Sequence, residues 1–283
     1  MDTIFSSATT AQKSAIKIIR ISGKESLKIP EIFSFKPTKP RVATFRRLYD
    51  SNKNIIDDAM VISLPGPASV TGENVFEIHI HGSIVVEKKI YEHLTKRRGF
   101  RIANRGEFTK RAFLNGKIDL TQAEGINDLI NAETENQFKS SILQYEGALY
   151  EKLKLWRNDI IFLRSKIEAF IDFSDEELPE EIEIEFKNKL LCLLKDMKSS
   201  IKSSNYGERI RNGFIITILG KPNVGKSSLI NYLSNKNVAI VTDEEGTTRD
   251  ILEVFLDFGG FPIILNDTAG LRKTSSKVEK IGI

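Results

Sequence analysis

ILGKPNVGKSSLINYL, residues 218–233, contains the pattern Gly, four residues, Gly, Lys, Ser that forms phosphate-binding loops. The apolar run FIITIL (214–219), of the type buried in parallel sheets, leads into it, and a helix-forming segment follows. Glycines let backbone N–H groups point at a phosphate, Lys226 can reach the β and γ oxygens, and Ser227 can ligate Mg²⁺. The stretch therefore predicts the strand, loop and first helix of an α/β nucleotide-binding domain.

Two segments downstream carry residues that a nucleotide triphosphatase also needs. Residues 242–250, TDEEGTTRD, contain threonines that can complete a Mg²⁺ shell, and residues 266–270, NDTAG, place Asp267 where it can hold the metal through water. Between them, ILEVFLDFGGFPIILNDT (251–268) predicts two strands joined by a Gly-Gly turn. Leu271 stands where many GTPases have a water-orienting glutamine, so help with hydrolysis must come from elsewhere.

The N-terminal region mixes predicted strands with a predicted helix. SAIKIIRISG (14–23) alternates apolar and polar positions, and DDAMVISLPGPASVTGENVFEIHIHG (57–82) contains two strand-like runs split by Gly and Pro. SIVVEKKIYEHLTKRR (83–98) has the spacing of an amphipathic helix. The region is predicted to be an α+β domain.

Charge is uneven along the chain, whose net charge is +4. Residues 1–120 carry 21 Lys/Arg against 12 Asp/Glu. A basic region suits an anionic partner such as RNA or a polyglutamate-bearing cofactor, while a solvated surface without a partner explains it equally well. Strand alternation puts Glu77, His79 and His81 on one face, which fits either a metal site or packing and ligand hydrogen bonds.

The middle region is predicted to be helical. Its apolar residues from Leu149 onward recur at steps of three and four, which is typical of the core seam of a helix bundle. The acidic segment 172–186 is predicted to be a solvated loop in which Pro179 ends the helix, and residues 187–204 predict a further helix. The seam comprises Ile142, Leu149, Leu153, Trp156, Ile160, Leu163, Ile167 and Phe170.

The cellular compartment is indicated by what the sequence lacks. Cys192 is the single cysteine, which excludes an internal disulfide, and its apolar surroundings predict a buried side chain. The N-terminus has no signal-peptide pattern, and no run approaches the ~18 apolar residues of a membrane span. We therefore predict a cytoplasmic protein with no membrane partner.

These features, with further motifs along the whole chain, resemble the tRNA modification GTPase family MnmE, also called TrmE. The resemblance implies an α+β folate-binding and dimerisation domain at 1–119, the first half of an α-helical bundle domain at 120–212, and the first part of an α/β P-loop GTPase domain at 213–283. The motifs are DTI…RISG, TGENVFEIHIHG, NRGEFTKRAFLNGKIDLTQAEGINDLI, IDFSDEELPE, GKPNVGKSSLIN, AIVTDEEGTTRD and DTAGLR…VEKIGI.

The resemblance implies a folate site in the N-terminal domain. Arg20, Glu77 and Lys117 match positions that contact 5-formyltetrahydrofolate in the family. The chemistry is consistent, because cations suit the glutamate tail of the ligand and a carboxylate suits the donor edge of its pterin ring.

The resemblance also implies metal ions at the nucleotide site. Ser227 and Thr248 match the Mg²⁺ ligands. A K⁺ ion would supply the positive charge that an arginine finger supplies elsewhere. Its ligands would be the side chain of Asn223 and backbone groups of Thr242, Glu244 and Thr247.

Catalysis of GTP hydrolysis would rest on Lys226, Asp267 and Glu279, of which Glu279 matches a family glutamate that helps to place the attacking water. The residues expected around GTP are Asn223, Val224, Gly225, Lys226, Ser227, Ser228, Thr242, Asp243, Glu244, Glu245, Gly246, Thr247, Thr248, Asp267, Thr268, Ala269 and Gly270.

The resemblance implies a reaction on tRNA. The family works with an FAD-dependent partner, MnmG (also called GidA), and adds a carboxymethylaminomethyl or aminomethyl group at carbon 5 of the wobble uridine. GTP hydrolysis stimulated by K⁺ accompanies the modification. We therefore expect a homodimer, which could join the partner in a heterotetramer.

The sequence departs from the family at the guanine site. No Asn-Lys-x-Asp segment is present, and residues 213–283 make up about half of a typical ~100–150-residue domain. We therefore expect an N-terminal portion, truncated within the GTPase domain, that hydrolyses GTP poorly. Two alternatives are a non-enzymatic folate-binding dimerisation fragment and a ribosome-assembly-type GTPase, although the basic N-terminal region speaks against the latter.

Overall fold

The computed structural model describes residues 2–10, 12–172, 180–220, 224–236, 239–240 and 253–267. The chain forms two compact units, Met1–Ala123 and Glu124–Ile283, which are called here the first and second units. Of the predicted acidic loop 172–186, residues 173–179 lie outside the described residues, as do the segments 242–250 and 268–283. The prediction of a loop is wrong for residues 180–186, because the helix predicted at 187–204 already begins at Glu180. The predicted division into three domains stays a prediction.

The first unit is built on a six-stranded sheet. The strand order is β3-β4-β5-β2-β1-β6, and all neighbours pair antiparallel except β1 and β6, which are parallel. The strands predicted from the sequence are confirmed as β2, β4 and β5. The six strands are β1 Thr3–Ser7, β2 Ser14–Ser22, β3 Thr44–Tyr49, β4 Ile55–Leu64, β5 Val75–Gly82 and β6 Phe100–Ile102.

Short helices complete this unit. A 3-10 helix, Lys24–Lys28, leads into α1, Ile29–Ile32. The predicted amphipathic helix is confirmed as α2, Ile84–Thr95, whose N-cap Ser83 accepts a hydrogen bond from the Val85 amide. Two more helices follow, α3 Glu107–Leu114 and α4 Leu120–Ile130, and α4 crosses the boundary between the units.

One face of the six-stranded sheet carries the hydrophobic core. Inward-facing residues of β2 and β5 alternate with polar ones, so that Ile19, Ile21, Ile78 and Ile80 are almost fully buried. Ile90 and Leu94 of α2 and residues of α1 cover them. Lys17 is also fully buried in this face, where its Nζ lies 2.7 Å from Glu87 Oε2. Helices α1 and α2 therefore cover one face, while the opposite face carries polar residues such as Arg20 and Glu77.

The second unit begins with long helices. After α4 come α5 Glu135–Tyr145, α6 Ala148–Asp172 and α7 Glu180–Asn212. A capping box between Thr134 and Gln137 starts α5. Phe170 and Phe186 meet edge to face at 6.2 Å between α6 and α7. The predicted helices are confirmed. None of the helices in the described ranges has the length and apolar composition needed to cross a bilayer.

Two predictions about burial in these helices are wrong. Leu163 is buried, but Leu149 and Ile160 of the same seam are 41% and 48% exposed, because α5 and α7 cover only part of α6 among the described residues. Cys192 is exposed. Its neighbour Leu193, about 100° further round the helix, takes the inward position instead.

A four-stranded sheet forms the rest of the second unit, with order β7-β10-β9-β8. β7 and β10 pair parallel, and the other pairs are antiparallel. The predicted strands are confirmed, but the expectation of a buried β7 is wrong, because it lies at the edge of the described sheet with Ile215 68% exposed. The elements are β7 Phe214–Ile218, α8 Lys226–Lys236, β8 Ala239–Ile240, β9 Glu253–Phe258 and β10 Phe261–Asp267.

The Gly-Gly turn between β9 and β10 requires left-handed backbone. Gly259 and Gly260 have φ of 61° and 89°, and positive φ at both central residues defines a type I′ hairpin. Asp257 Oδ1 accepts from the Gly260 amide at 2.7 Å, and the Gly260 carbonyl accepts from the Asn136 amide at 3.2 Å. The turn therefore joins the hairpin to the first turn of α5.

Replacing Gly259 by Ala is expected to destabilise the hairpin by about 1–2 kcal/mol, the cost of left-handed backbone for an L-residue. No heavy atom lies within 4 Å of a Cβ added there, so the cost is conformational and not steric. Amide exchange in β9–β10 peptides should accelerate roughly 5- to 30-fold. Gly259→Asn is the matched control, since Asn tolerates this conformation. Exchange in Gly259→Ala equal to wild type would contradict the assignment of the turn.

Candidate functional site

An ion pair occupies the centre of the polar face of the first sheet. Arg20 of β2 lies opposite Glu77 of β5, and Arg20 Nε donates to Glu77 Oε1 at 2.8 Å. Both side chains are largely buried, at 29% and 15% exposed. The terminal guanidinium nitrogens of Arg20 make no hydrogen bond within the described part of the chain. They could therefore bind a ligand carboxylate while Glu77 holds the base of the guanidinium.

An aromatic ring from α3 packs beside this pair. The guanidinium carbon of Arg20 lies 6.0 Å from the ring centroid of Phe108, which is at the outer limit for a cation–π contact. Phe108 is half-buried and could contact a flat ligand ring. Phe108 is not predicted from the sequence, because nothing in the local sequence around α3 indicates that this ring meets β2.

Each of the two histidines of β5 lies beside a carboxylate. His79 Nε2 lies 3.5 Å from Glu77 Oε2, and Asp57 accepts from His81 Nδ1 at 2.7 Å and from the His81 amide at 2.8 Å. Among the residues that the structure describes, no group of three or more His, Cys, Asp or Glu side chains could hold a metal ion. The arrangement therefore favours hydrogen bonding over metal binding on this face.

Lys117 lies at the edge of the site. It follows α3, is exposed, and its amide donates to the Ala112 carbonyl at 2.9 Å. A Cβ added at Gly72 would lie 3.1 Å from Lys117 Cγ, so the lysine stem runs along the loop between β4 and β5. No hydrogen bond or ion pair joins Lys117 to Arg20 or Glu77 within the described ranges. The structure therefore brings two of the three predicted folate contacts together and places the third beside the neighbouring loop.

A set of four charged residues, called here the charge cluster (Glu73, Arg101, Glu107 and Arg111), lies under the same loop. Arg111 donates to both carboxylate oxygens of Glu73, at 3.2 and 3.0 Å, and to Glu107 at 3.1 Å. Arg101 binds Glu107 through two nitrogens, at 2.8 and 2.6 Å. Hydrogen bonds from Arg101, the Asn104 amide and Arg111 lower the pKa of Glu107 to about 2, although burial opposes the shift.

The phosphate-binding pattern in the second unit lies between β7 and α8. Lys226, the first residue of α8, donates from Nζ to the Gly220 carbonyl at 3.0 Å, so the amine lies across the loop. Gly225 has a φ of 91°, which favours glycine at the point where the loop enters the helix. Asp267 at the end of β10 pairs with Ile218 of β7 in the parallel register. The carboxyl ends of both strands therefore lie at the edge of the sheet where the loop begins.

Most of the predicted nucleotide-site residues lie outside the part of the chain that the structure describes. Val224, Gly225, Lys226 and Ser228 are described, and Ser227 and Asp267 are described in their backbone. The predicted residues outside the description are Asn223, Thr242, Asp243, Glu244, Glu245, Gly246, Thr247, Thr248, Thr268, Ala269, Gly270 and Glu279.

Two protein-family models match the chain. The model described as the N-terminus of the GTP-binding protein TrmE matches residues 3–117. The model of the MnmE helical domain matches residues 120–280. Together they cover almost the whole chain.

Curated proteins named tRNA modification GTPase MnmE are similar over the full chain. Identity is 44% over 283 residues with the protein from Anaplasma marginale, of whose length 63% is covered. It is 47% over 284 residues with that from the Wolbachia of Drosophila simulans (64% covered). It is 46% over 285 residues with that from Neorickettsia sennetsu (51% covered). The chain thus spans about half to two thirds of the length of these relatives.

Replacing Glu107 by Gln is expected to destabilise the first unit by about 3 kcal/mol at pH 7, the equivalent of a pKa lowered from 4.5 to about 2. A carboxyl group whose pKa is lower in the folded than in the unfolded state stabilises the folded protein at pH values above the unfolded-state pKa. That stabilisation is lost as the pH falls through the folded-state pKa. The difference between variant and wild type should therefore shrink to less than half at pH 3.

The measurement is urea unfolding at pH 7 and at pH 3. The unfolded fraction of the first unit is monitored by pulse labelling of the amides in β1 and β6, with the labelling pulse applied at the same pH for all samples. Amide labelling is needed because Trp156, the one tryptophan of the chain, lies in the second unit. Glu92→Gln, an exposed carboxylate on α2, is the matched control. A Glu107→Gln effect that is the same at both pH values would contradict the assigned ionisation.

Proposed function

Since the chain belongs to the MnmE family of tRNA modification GTPases, we propose that it carries the folate-binding and nucleotide-binding sites of a GTP-hydrolysing tRNA modification enzyme. The observation that supports the proposed nucleotide-binding site is the phosphate-binding pattern between a strand and a helix, with Lys226 Nζ held 3.0 Å from the Gly220 carbonyl. This arrangement supports an α/β P-loop GTPase domain.

In the proposed nucleotide site, the loop amides and the start of α8 bind the phosphates, and Lys226 leaves the Gly220 carbonyl to neutralise the β and γ oxygens. Mg²⁺ would be held by Ser227 and Thr248, and would neutralise charge on the phosphates. Asn223, with backbone groups of Thr242, Glu244 and Thr247, would hold K⁺. Asp267 and Glu279 would orient the metal-bound and the attacking water respectively.

In the proposed folate site, 5-formyltetrahydrofolate lies on the polar face of the first sheet. Arg20 and Lys117 would bind the carboxylates of its glutamate tail, and Glu77 would accept from the donor edge of the pterin. The free terminal nitrogens of Arg20 in the described structure support this role. Phe108 adds an apolar surface beside the guanidinium.

The proposed reaction is the addition of a carboxymethylaminomethyl or aminomethyl group at carbon 5 of the wobble uridine of tRNA. We propose that K⁺-stimulated GTP hydrolysis accompanies it and that MnmG, the FAD-dependent partner, takes part. The proposed protein is a cytoplasmic homodimer, which could form a heterotetramer with that partner. The net positive charge of residues 1–120 supports contact with an anionic partner such as tRNA.

Replacing Lys226 by Ala tests the nucleotide site. The variant loses the charge-assisted contacts to two phosphates, so binding of a fluorescent GTP analogue in MgCl₂ and KCl should weaken about 100-fold or more. Lys198→Ala on α7 is the matched control and should bind as wild type does. Equal GTP affinity in Lys226→Ala and wild type would overturn the assignment of this loop.

Replacing Arg20 by Ala tests the folate site. Loss of a charge-assisted contact to a carboxylate should weaken 5-formyltetrahydrofolate binding by about tenfold or more in titration calorimetry, with GTP affinity unchanged. Arg47→Ala removes the same side chain from the exposed ion pair with Asp58 and serves as the control. A loss of folate affinity of the same size in both variants would contradict a specific role for Arg20.

A further inference from the structure

The charge cluster joins two segments that are distant in sequence. Glu73 lies in the loop between β4 and β5, and Arg111 lies on α3, 38 positions later. Ser22, at the end of β2, donates to Glu73 Oε2 at 2.7 Å. Because that bond uses the only hydrogen of the Ser22 hydroxyl, Thr71 must donate the 2.7 Å bond between the two hydroxyls. Glu73 therefore holds β2, its own loop and α3 at a single point.

A buried ion pair such as that between Arg111 and Glu73 need contribute little net stability. The side chains of Arg111 and Glu73 are 5% and 16% exposed, so both charges are largely removed from water. Buried ion pairs regain little more than the desolvation they cost, and apolar replacements are often equally stable. What a fully hydrogen-bonded pair does provide is fixed geometry between the segments that it joins.

The segments fixed by the cluster carry the proposed ligand contacts. Arg20 lies two residues before Ser22 on the same face of β2, and Phe108 follows Glu107 directly in α3. At the other end of α3, Asn115 Nδ2 donates to the Thr71 carbonyl at 2.7 Å, and Lys117 runs beside Gly72. The position of Lys117 relative to Arg20 therefore depends on the contact between α3 and the loop.

We propose that Glu73 and Arg111 are positioning residues that hold Arg20 and Lys117 at the spacing needed to bind the carboxylates of the glutamate tail of a folate. This proposal rests on the proposed folate site. The cluster would affect binding of the glutamate tail and not of the pterin ring. It contacts the segments that carry Arg20 and Lys117, and it makes no described contact with Glu77.

The test uses the double variant Glu73→Gln/Arg111→Gln in the full chain. Removing one negative and one positive charge together leaves Arg101 and Glu107 as a neutral pair, so no single buried charge is left uncompensated. The control is Arg164→Gln/Glu168→Gln, which removes an exposed ion pair on α6. Melting temperature and the affinity for 5-formyltetrahydropteroate report folding of the first unit in all variants, and GTP affinity reports folding of the second unit.

The readout is a comparison of two ligands by calorimetry, 5-formyltetrahydrofolate and 5-formyltetrahydropteroate, which lacks the glutamate. Wild type and control should prefer the glutamate-bearing ligand by about tenfold or more. The double variant should bind the pteroate as wild type does and lose that preference. A purely structural role would weaken both ligands equally, whereas positioning of the cations affects only one.

Each other outcome decides against the proposal. A preference retained in the double variant, or an equal loss for both ligands, would show that the cluster does not position the cations. The absence of any preference in wild type would show that the cations do not bind the tail. Failure of wild type to bind either ligand would overturn the proposed folate site itself, and the two failures are therefore distinguishable.

Discussion

The alternation of side chains along β2 and β5 is the constraint on which the first unit depends. Ile19 and Ile78 face the helices and are fully buried, and each such side chain contributes about 1.5–3 kcal/mol. A slip of one residue in the pairing would move every one of them to the opposite face. The register that prevents this also places Arg20 opposite Glu77. The proposed ligand face is thus fixed by packing on the other side of the same sheet.

The elements that sequence analysis predicted correctly are those whose signal is local. The alternation in residues 14–22 identifies β2 because burial on one face repeats every second residue. The Gly-Gly pair at 259–260 identifies the hairpin, since only particular residues adopt the backbone of a type I′ turn. The alternation along β2 and that along β5 place Arg20 and Glu77 on the polar face of each strand. Only the register that sets the two residues opposite each other had to come from the structure.

The features that sequence analysis missed depend on contacts between distant segments. Glu73 and Arg111 carry no local signal for each other, so their cluster was not predicted, and Phe108 was missed for the same reason. The predictions of which side chains are buried on the long helices were wrong for the same reason. The spacing of apolar residues on α6 and α7 predicts a face, but whether Ile160 or Cys192 is covered depends on which elements pack there.

The measurement that tests the central claim most directly is amide hydrogen exchange of the chain with and without saturating 5-formyltetrahydrofolate. The account predicts slower exchange in peptides from β2, β5 and α3, with the peptides of α7 unchanged, because the ligand would order the polar face of the first sheet. Unchanged exchange in those three elements at saturation, or protection confined to the second unit, would contradict the assignment of that face as the folate site.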